Sequence, residues 1–242
     1  MLFSVAIPTY KRSHLIGSKT LKLLKEHLYP RSLITLFVAD EKEKSDYLKN
    51  VNPELYGQIV VGVRGLMNQR NFITSFYSEG ELVLQMDDDV DCLKSDKPFT
   101  EILRMAYSYL KDSGGLFGVL PNDDGRRFKN DTTVHLTHIL GSFFIASNHK
   151  DLLITTDEKE DMERSILYFK KFGKVYRYRG AGVKTAYALA RSGGMNTEDR
   201  AEAMERGAKY LESAYPDYCT AYVKKGKWDI RMNWRAKPLP EL

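Results

Sequence analysis

Cysteine is scarce in this chain of 242 residues: Cys92 and Cys219 are all there is. Two such distant cysteines build neither a disulfide framework nor a Cys-x-x-Cys metal pair. A reducing, cytoplasmic setting is the simplest expectation. Long apolar runs are also missing, since none approaches the roughly 18–20 residues of a membrane span. The short run Leu2 to Pro8 has no basic region before it and no cleavage-like segment after it, so it reads as a strand and not as a signal peptide. Low-complexity segments, internal repeats and long linkers are absent. With 43% hydrophobic residues, one core of ordinary size is expected, as a single domain over 1–242.

Acids are lacking in one place. From Arg164 to Arg191 there are eight Lys/Arg (Arg164, Lys170, Lys171, Lys174, Arg177, Arg179, Lys184 and Arg191) and no Asp or Glu. The whole chain carries 37 Lys+Arg against 32 Asp+Glu, a net charge of +5. That balance favours an anionic partner.

The first half alternates β-rich and helical stretches. Phe3 to Pro8, Leu33 to Ala39, Ile59 to Val63 and Leu82 to Met86 read as strands. His14 to Leu28, Met67 to Tyr77 and Phe99 to Leu110 read as helices. This alternation predicts βαβ units and an α/β fold with a mostly parallel, Rossmann-like sheet flanked by helices. In the second half, Leu116 to Leu120 and Ile139 to Ala146 are predicted strands, and Val175 to Tyr178 a short one. Glu158 to Phe172 and Glu198 to Ser213 are predicted helices, with Thr155 and Glu158 spaced as a capping box for the first.

The fourth strand runs straight into Asp87, Asp88 and Asp89. Ligands of open α/β sheets bind beyond the carboxyl ends of strands. Adjacent carboxylates repel, so a cation is expected to neutralise them. Mg²⁺ or Mn²⁺ suits oxygen ligands shared between carboxylates and phosphates. Extended geometry would turn Asp87 and Asp89 to one side and Asp88 to the other. A solvated acidic turn is the plain alternative.

Four segments appear in order: Val5-Ala6-Ile7-Pro8-Thr9-Tyr10-Lys11-Arg12, then Ala39-Asp40-Glu41, then Gly65-Leu66-Met67-Asn68-Gln69-Arg70-Asn71, then Asp87-Asp88-Asp89. Together they resemble the GT-A family of glycosyltransferases, enzymes that take a sugar from a nucleotide-sugar donor. The resemblance implies a nucleotide-sugar-binding half over 1–91 and a smaller acceptor-binding half over 92–242. It implies that Pro8, Thr9, Tyr10, Arg12, Asp40, Arg70, Asp87 and Asp88 bind the donor, most simply a UDP-sugar. It further implies that Asp87 and Asp89 hold Mn²⁺ or Mg²⁺. Glu160-Asp161 resembles the family's Glu-Asp base motif, which makes Asp161 the candidate base of an inverting transfer. Asp40 serves equally as a helix cap, and the acids around Asp161 equally as dipole partners at a helix start. His135, His138 and His149 sit in no matching motif.

The Pro-Thr-Tyr-Lys-Arg opening, the Arg70-Asn71-Phe72-Ile73 segment and the Gly193-Gly194-Met195 loop ahead of a basic, helical C-terminus most resemble the TET/JBP-associated glycosyltransferases. These modify hydroxymethylated bases in DNA, often in phages, so DNA is the implied acceptor. Clustered Lys/Arg suit backbone phosphates, and tyrosines interleaved with them (Tyr168, Tyr176, Tyr178 and Tyr187) would stack on an extruded base. Arg126, Arg127, Arg177, Arg179 and Lys184 are the expected DNA-facing cations, with the loop 122–129 as an acceptor-side lid. Lys184, Arg191 and the Gly-rich loop are also placed to close over a diphosphate.

Transfer to a glycan, a lipid-linked sugar or a protein shares the same donor half. A non-catalytic DNA-binding module is the rival of another class. A sugar nucleotidyltransferase would carry a Gly-rich loop directly after the first strand, and Pro8-Thr9-Tyr10-Lys11-Arg12 has none.

Overall fold

A computed structural model describes residues 2–185 and 200–238. Tyr187, Arg191 and the Gly193-Gly194-Met195 loop lie outside the described residues. The first half follows the alternation expected of it. Strands β1 (Ser4–Pro8), β2 (Ile34–Val38), β3 (Gln58–Val61) and β4 (Leu82–Met86) pair in parallel in the order β3-β2-β1-β4. Their apolar runs are buried on both faces, as parallel strands between helix layers must be.

The sheet continues through β8 (Phe143–Ser147), β6 (Leu116–Leu120), β9 (Tyr176–Thr185) and β5 (Val90–Ser95), with β7 (Thr132–Val134) pairing β9 off this path. In this nine-stranded sheet β1, β2, β3, β4, β6 and β9 share one direction, and β5, β7 and β8 oppose it. One face packs on α1 (Ser13–Ile16), α2 (Thr20–Glu26), α3 (Glu41–Asn50) and α5 (Phe99–Leu110), through Val5, Ile7, Leu84, Met86 and Phe117. The other packs on α4 (Leu66–Phe76) through Ala6, Phe37 and Val83. There Phe144 and Ala146 also meet α6 (Glu160–Phe172) and α7 (Arg200–Ala214).

Several local expectations are corrected. The single helix over 14–28 is two helices, because Gly17 and Ser18, both poor helix formers beside leucine, sit in the turn between α1 and α2. Thr155 does not cap α6. Its N–H and hydroxyl go to Glu163, and the helix starts after Lys159 in a left-handed conformation at φ 62°. The short strand at Val175 is the ten-residue β9. Its Gly180 and Gly182 approach neighbouring chain so closely that a Cβ at 182 would lie 1.8 Å from the Asn122 carbonyl oxygen. The basic tail after α7 is a hairpin and not helical, β10 (Cys219–Lys224) against β11 (Lys227–Met232), turning at Lys225-Gly226, both at positive φ. α3 and β5 escaped the sequence reading because both are largely polar and exposed.

Candidate functional site at the carboxyl ends of β1, β2 and β4

Because β1 lies between β2 and β4 in parallel register, with Ala6 beside Thr35 and Gln85, the segments leaving these strands emerge side by side. Thr9 and Arg12 follow β1, Asp40 follows β2, and the three aspartates follow β4. Their arrangement departs from simple alternation. The strand ends at Met86 and turns at Asp88 and Asp89, so these two acids share one cation while Asp87 takes another. Arg12 donates through one terminal nitrogen to Asp88 Oδ1 at 2.6 Å and to Asp89 Oδ2 at 3.3 Å. Asp88 Oδ2 accepts the Thr9 hydroxyl at 2.6 Å, and Thr9 in turn meets the Tyr47 hydroxyl of α3 at 2.5 Å. Thr20 donates to the Asp87 carbonyl oxygen and accepts the Val90 N–H, which fixes the turn from below.

Arg70 projects from α4 under the other side of the turn. It is 3% exposed and donates to Gln85 Oε1 at 3.0 Å, Asp87 Oδ1 at 2.6 Å and the Gly141 carbonyl at 3.1 Å. Glu160, at the start of α6, lies 3.9 Å from Arg70 and 2.5 Å from Arg164. Asn71 exchanges two hydrogen bonds with the Ile154 backbone, so it ties α4 to the loop before α6. The loop preceding β8 lies alongside the acids, since the Asp87 N–H donates to the Ser142 carbonyl. Three residues earlier in that loop than Gly141, His138 Nε2 meets Asp161 Oδ2 at 2.7 Å. Burial acts to raise the Asp161 pKa, but the charge and hydrogen bond of His138, with Arg164 and the Met162 N–H, hold it well below the usual carboxylate range.

A cleft of about 600 Å³ opens beside β1 and β2, lined by Tyr10, Lys11, Asp40, Lys42, Glu43 and Tyr47 among others. Of the residues expected to frame the nucleoside, Tyr10 and Asp40 line this cleft. Asp40 also caps α3, accepting the Glu43 N–H at 2.9 Å. Pro8, Thr9 and Arg12 are buried, and Thr9 and Arg12 lie beneath the acids.

The expected DNA-facing cations are scattered and mostly paired. Arg126 and Arg127 both reach Asp124, Arg179 forms a two-pronged pair with Asp131, and Lys184 lies 3.7 Å from Asp91. Arg177 is part-buried against the His138 carbonyl, and burial lowers its pKa. The tract without acids in sequence thus receives acids from other segments. Tyr168, Tyr176 and Tyr178 are corrected outright: they are 6%, 5% and 0% exposed and serve the core, not a base-stacking face. Tyr168 bonds the Ser147 carbonyl, Tyr176 stacks on Tyr109, and Tyr178 bonds Asp96.

Among the described residues, the group of acids and histidine whose ligand atoms all lie within 4.8 Å of one another is Glu79, His149 and Asp151, and the three carboxylates of 87–89 do not gather that closely. The Glu79 group sits at the opposite end of β4, where Lys171 already holds both oxygens of Asp151.

No family model matches the sequence, and no curated protein matches it. Solved structures do. One mycobacterial protein superposes with a TM-score of 0.53 at 11% identity, covering 98% of this chain and 86% of that one. Residues 1–349 of S. aureus TarS give 0.50 at 18% identity, over 90% of this chain and 68% of that one. Glucosyl-3-phosphoglycerate synthase from Mycobacterium tuberculosis, in complex with Mn²⁺, UDP-glucose and phosphoglyceric acid, gives 0.50 at 11% identity, over 98% of this chain and 89% of that one. The fold is GT-A. In it the acids of 87–89 lie at the carboxyl ends of the parallel strands.

The electrostatics of those acids suit a divalent cation. Burial first, then Asp87 and Asp88, push the Asp89 carboxyl up to about 7, despite Arg12. A carboxylate set that resists its own charge gains from an added cation. A divalent cation held by Asp89 would have to displace a proton from it below about pH 7. The apparent Mn²⁺ affinity measured by calorimetry in two buffers is expected to fall about tenfold per pH unit below 7, with proton release. Affinity flat from pH 5.5 to 8 would show that Asp89 is not a ligand.

Proposed function

We propose that this protein is a metal-dependent glycosyltransferase that moves a sugar from a nucleotide-sugar donor to a hydroxyl acceptor. The observation that carries the reading is the convergence of Asp87, Asp88 and Asp89 with Arg12 and Arg70 at the carboxyl ends of parallel strands, beside an open cleft. The nucleoside of the donor, most simply a UDP-sugar, lies in that cleft against Tyr10 and Asp40. Thr9, Arg12 and Asp88 act from beneath, holding the acids in place. Asp87 and Asp89 would hold Mn²⁺ or Mg²⁺, which supplies positive charge for the leaving nucleoside diphosphate. Arg70 fixes Asp87 and adds its own charge behind it.

An inverting displacement requires a base for the acceptor proton, and Asp161, paired with His138, supplies the carboxylate of that base. Asp161→Asn is expected to lower kcat by about 10²–10⁴ with donor affinity unchanged, which single-turnover transfer assays and titration calorimetry would measure. Full turnover would point to another base or to a retaining route.

For the acceptor, we carry the proposal of a 5-hydroxymethyl pyrimidine in DNA. Its support is exposed positive charge in the second half of the chain: Arg126 and Arg127, which share Asp124, have side chains 91% and 70% exposed, and the hairpin carries Lys224, Lys225, Lys227 and Arg231. A base in duplex DNA would have to be flipped out to reach the site. Incubation with a panel of nucleotide sugars, Mn²⁺ and hydroxymethylated DNA, read by mass spectrometry, tests this. Sugar on a glycan or protein acceptor, with none on DNA, would replace it. Failure of every nucleotide sugar to raise Tm would favour a non-catalytic DNA-binding module.

A further inference from the structure

Asp161 is a weak proton acceptor as the structure holds it. One oxygen accepts the N–H of Met162 at 2.9 Å and the other is bound by His138 at 2.7 Å. Its side chain is 18% exposed. A carboxylate whose two oxygens each already accept a hydrogen bond, next to Arg164, is less basic toward a substrate hydroxyl. The imidazole beside it is differently placed. His138 is engaged through Nε2 alone among the described residues, its side chain is 23% exposed, and Nδ1 makes no bond there. Its loop is locked against the acids, since Gly141 accepts from Arg70 and Ser142 accepts from the Asp87 N–H.

We propose that His138 is the catalytic base and that Asp161 is its positioning residue. The inference deepens the transferase reading and rests on it. Asp161 accepts the Nε2–H and so fixes the neutral tautomer that leaves Nδ1 with a free lone pair. The acceptor hydroxyl gives its proton to Nδ1 as its oxygen bonds the anomeric carbon. The bond from that carbon to the diphosphate oxygen breaks, and its electron pair leaves with the nucleoside diphosphate. Asp161 stays ionised and stabilises the imidazolium, the division of labour seen in carboxylate–histidine pairs generally. The charged groups near the ring are Asp161 of α6, which bonds it, Arg164 on the same helix, and Arg177 of β9, which donates to the His138 carbonyl. Glu160 is taken by Arg164 and Arg70.

The arrangement makes the two substitutions rank in a definite order. If Asp161 alone were the base, Asp161→Asn would be far more damaging than His138→Ala. With His138 as base, His138→Ala is at least as damaging, with a loss of about 10²–10⁴ in kcat. The test is transfer by the full chain with Mn²⁺ and whichever nucleotide sugar supports wild-type turnover, from pH 5 to 9. His138→Ala and His138→Gln are compared with Asp161→Asn, each checked for wild-type Tm and nucleoside diphosphate affinity. Added imidazole is expected to restore activity to His138→Ala and not to Asp161→Asn. The acid limb of the wild-type kcat profile is expected to vanish in His138→Gln. Wild-type kcat in either folded His138 variant overturns the proposal and leaves the transferase reading intact. A wild-type protein that neither transfers nor hydrolyses any nucleotide sugar removes that reading, and this inference with it.

Discussion

Asp89→Asn is expected to cut metal-dependent transfer by roughly a thousandfold while leaving the metal-free protein at least as stable as the wild type. The two halves of this expectation come from the same geometry. Asp89 is 4% exposed, feels the charges of Asp87 and Asp88, and faces a single shared nitrogen of Arg12 at 3.3 Å. Its carboxyl is pushed up to about 7, so the folded state holds the proton more tightly than the unfolded chain does. Such a group weakens the metal-free fold as pH rises from about 4 toward 7, because the folded state then carries a charge that the unfolded chain bears more cheaply. Asparagine keeps the shape and removes the charge. A gain on the order of 1 kcal/mol at pH 8, or about 2–4 °C in Tm for a chain of this size, is the expected sign. Adding Mn²⁺ with nucleoside diphosphate should raise the wild-type Tm and not that of the variant. Undiminished turnover would remove Asp89 from the metal site. The Glu79, His149 and Asp151 cluster is untouched by this change, so residual Mn²⁺ binding there separates from the effect on transfer.

Stability and activity pulling apart at one residue is what crowded, buried carboxylates are expected to produce. It also explains which parts of this molecule were legible in the amino-acid order. The parallel half was readable because its strands are continuous apolar runs and its ligand edge follows from their direction. The acids at 87–89 stood out for the same reason, at the end of such a run. The pairing of those acids was not readable. Arg12 and Asp88 are 76 residues apart, and nothing in their spacing says that Asp88 and Asp89 share one arginine while Asp87 takes Arg70. His138 lay in a loop with no motif, and only its approach to Asp161 gives it a role. The tract from Arg164 to Arg191 misled in the opposite direction. Linear composition shows cations and tyrosines without acids, whereas folding brings Asp131 to Arg179 and turns Tyr168, Tyr176 and Tyr178 inward. Long β-strands that contain glycine, such as β9, read as broken because their order comes from partners on both sides and not from their own propensity.

Arg12 shows how far a donor-binding expectation and a structural role can be told apart. Arg12→Met is expected to destabilise the metal-free protein by about 3–5 kcal/mol, because it strands buried acids without a counter-charge. Burial pushes both carboxyls up, so proton uptake at Asp88 and Asp89 relieves part of that cost. Asp88 carries the larger share, being 4% exposed and left with the Thr9 hydroxyl alone among the described residues. The loss corresponds to roughly 6–20 °C in Tm for a domain of this size. A residue that served only to touch the nucleoside would leave the metal-free Tm unchanged when replaced. The double variant Arg12→Met with Asp88→Asn removes both charges of the buried pair, and it should recover a large part of the stability lost in the single variant. Chemical denaturation of the wild type, both single variants and the double variant gives the coupling directly. Additive losses, or a single Arg12→Met variant within 2 °C of the wild type (about 1 kcal/mol), would mean that Arg12 does not hold the acids in place. By contrast, Arg126, whose side chain is 91% exposed, pairs with Asp124 in full solvent. Screening leaves such a pair close to zero. The acids under the proposed metal therefore owe their placement to Arg12 and Arg70. A chain that lost either would lose its fold stability before its chemistry could be judged.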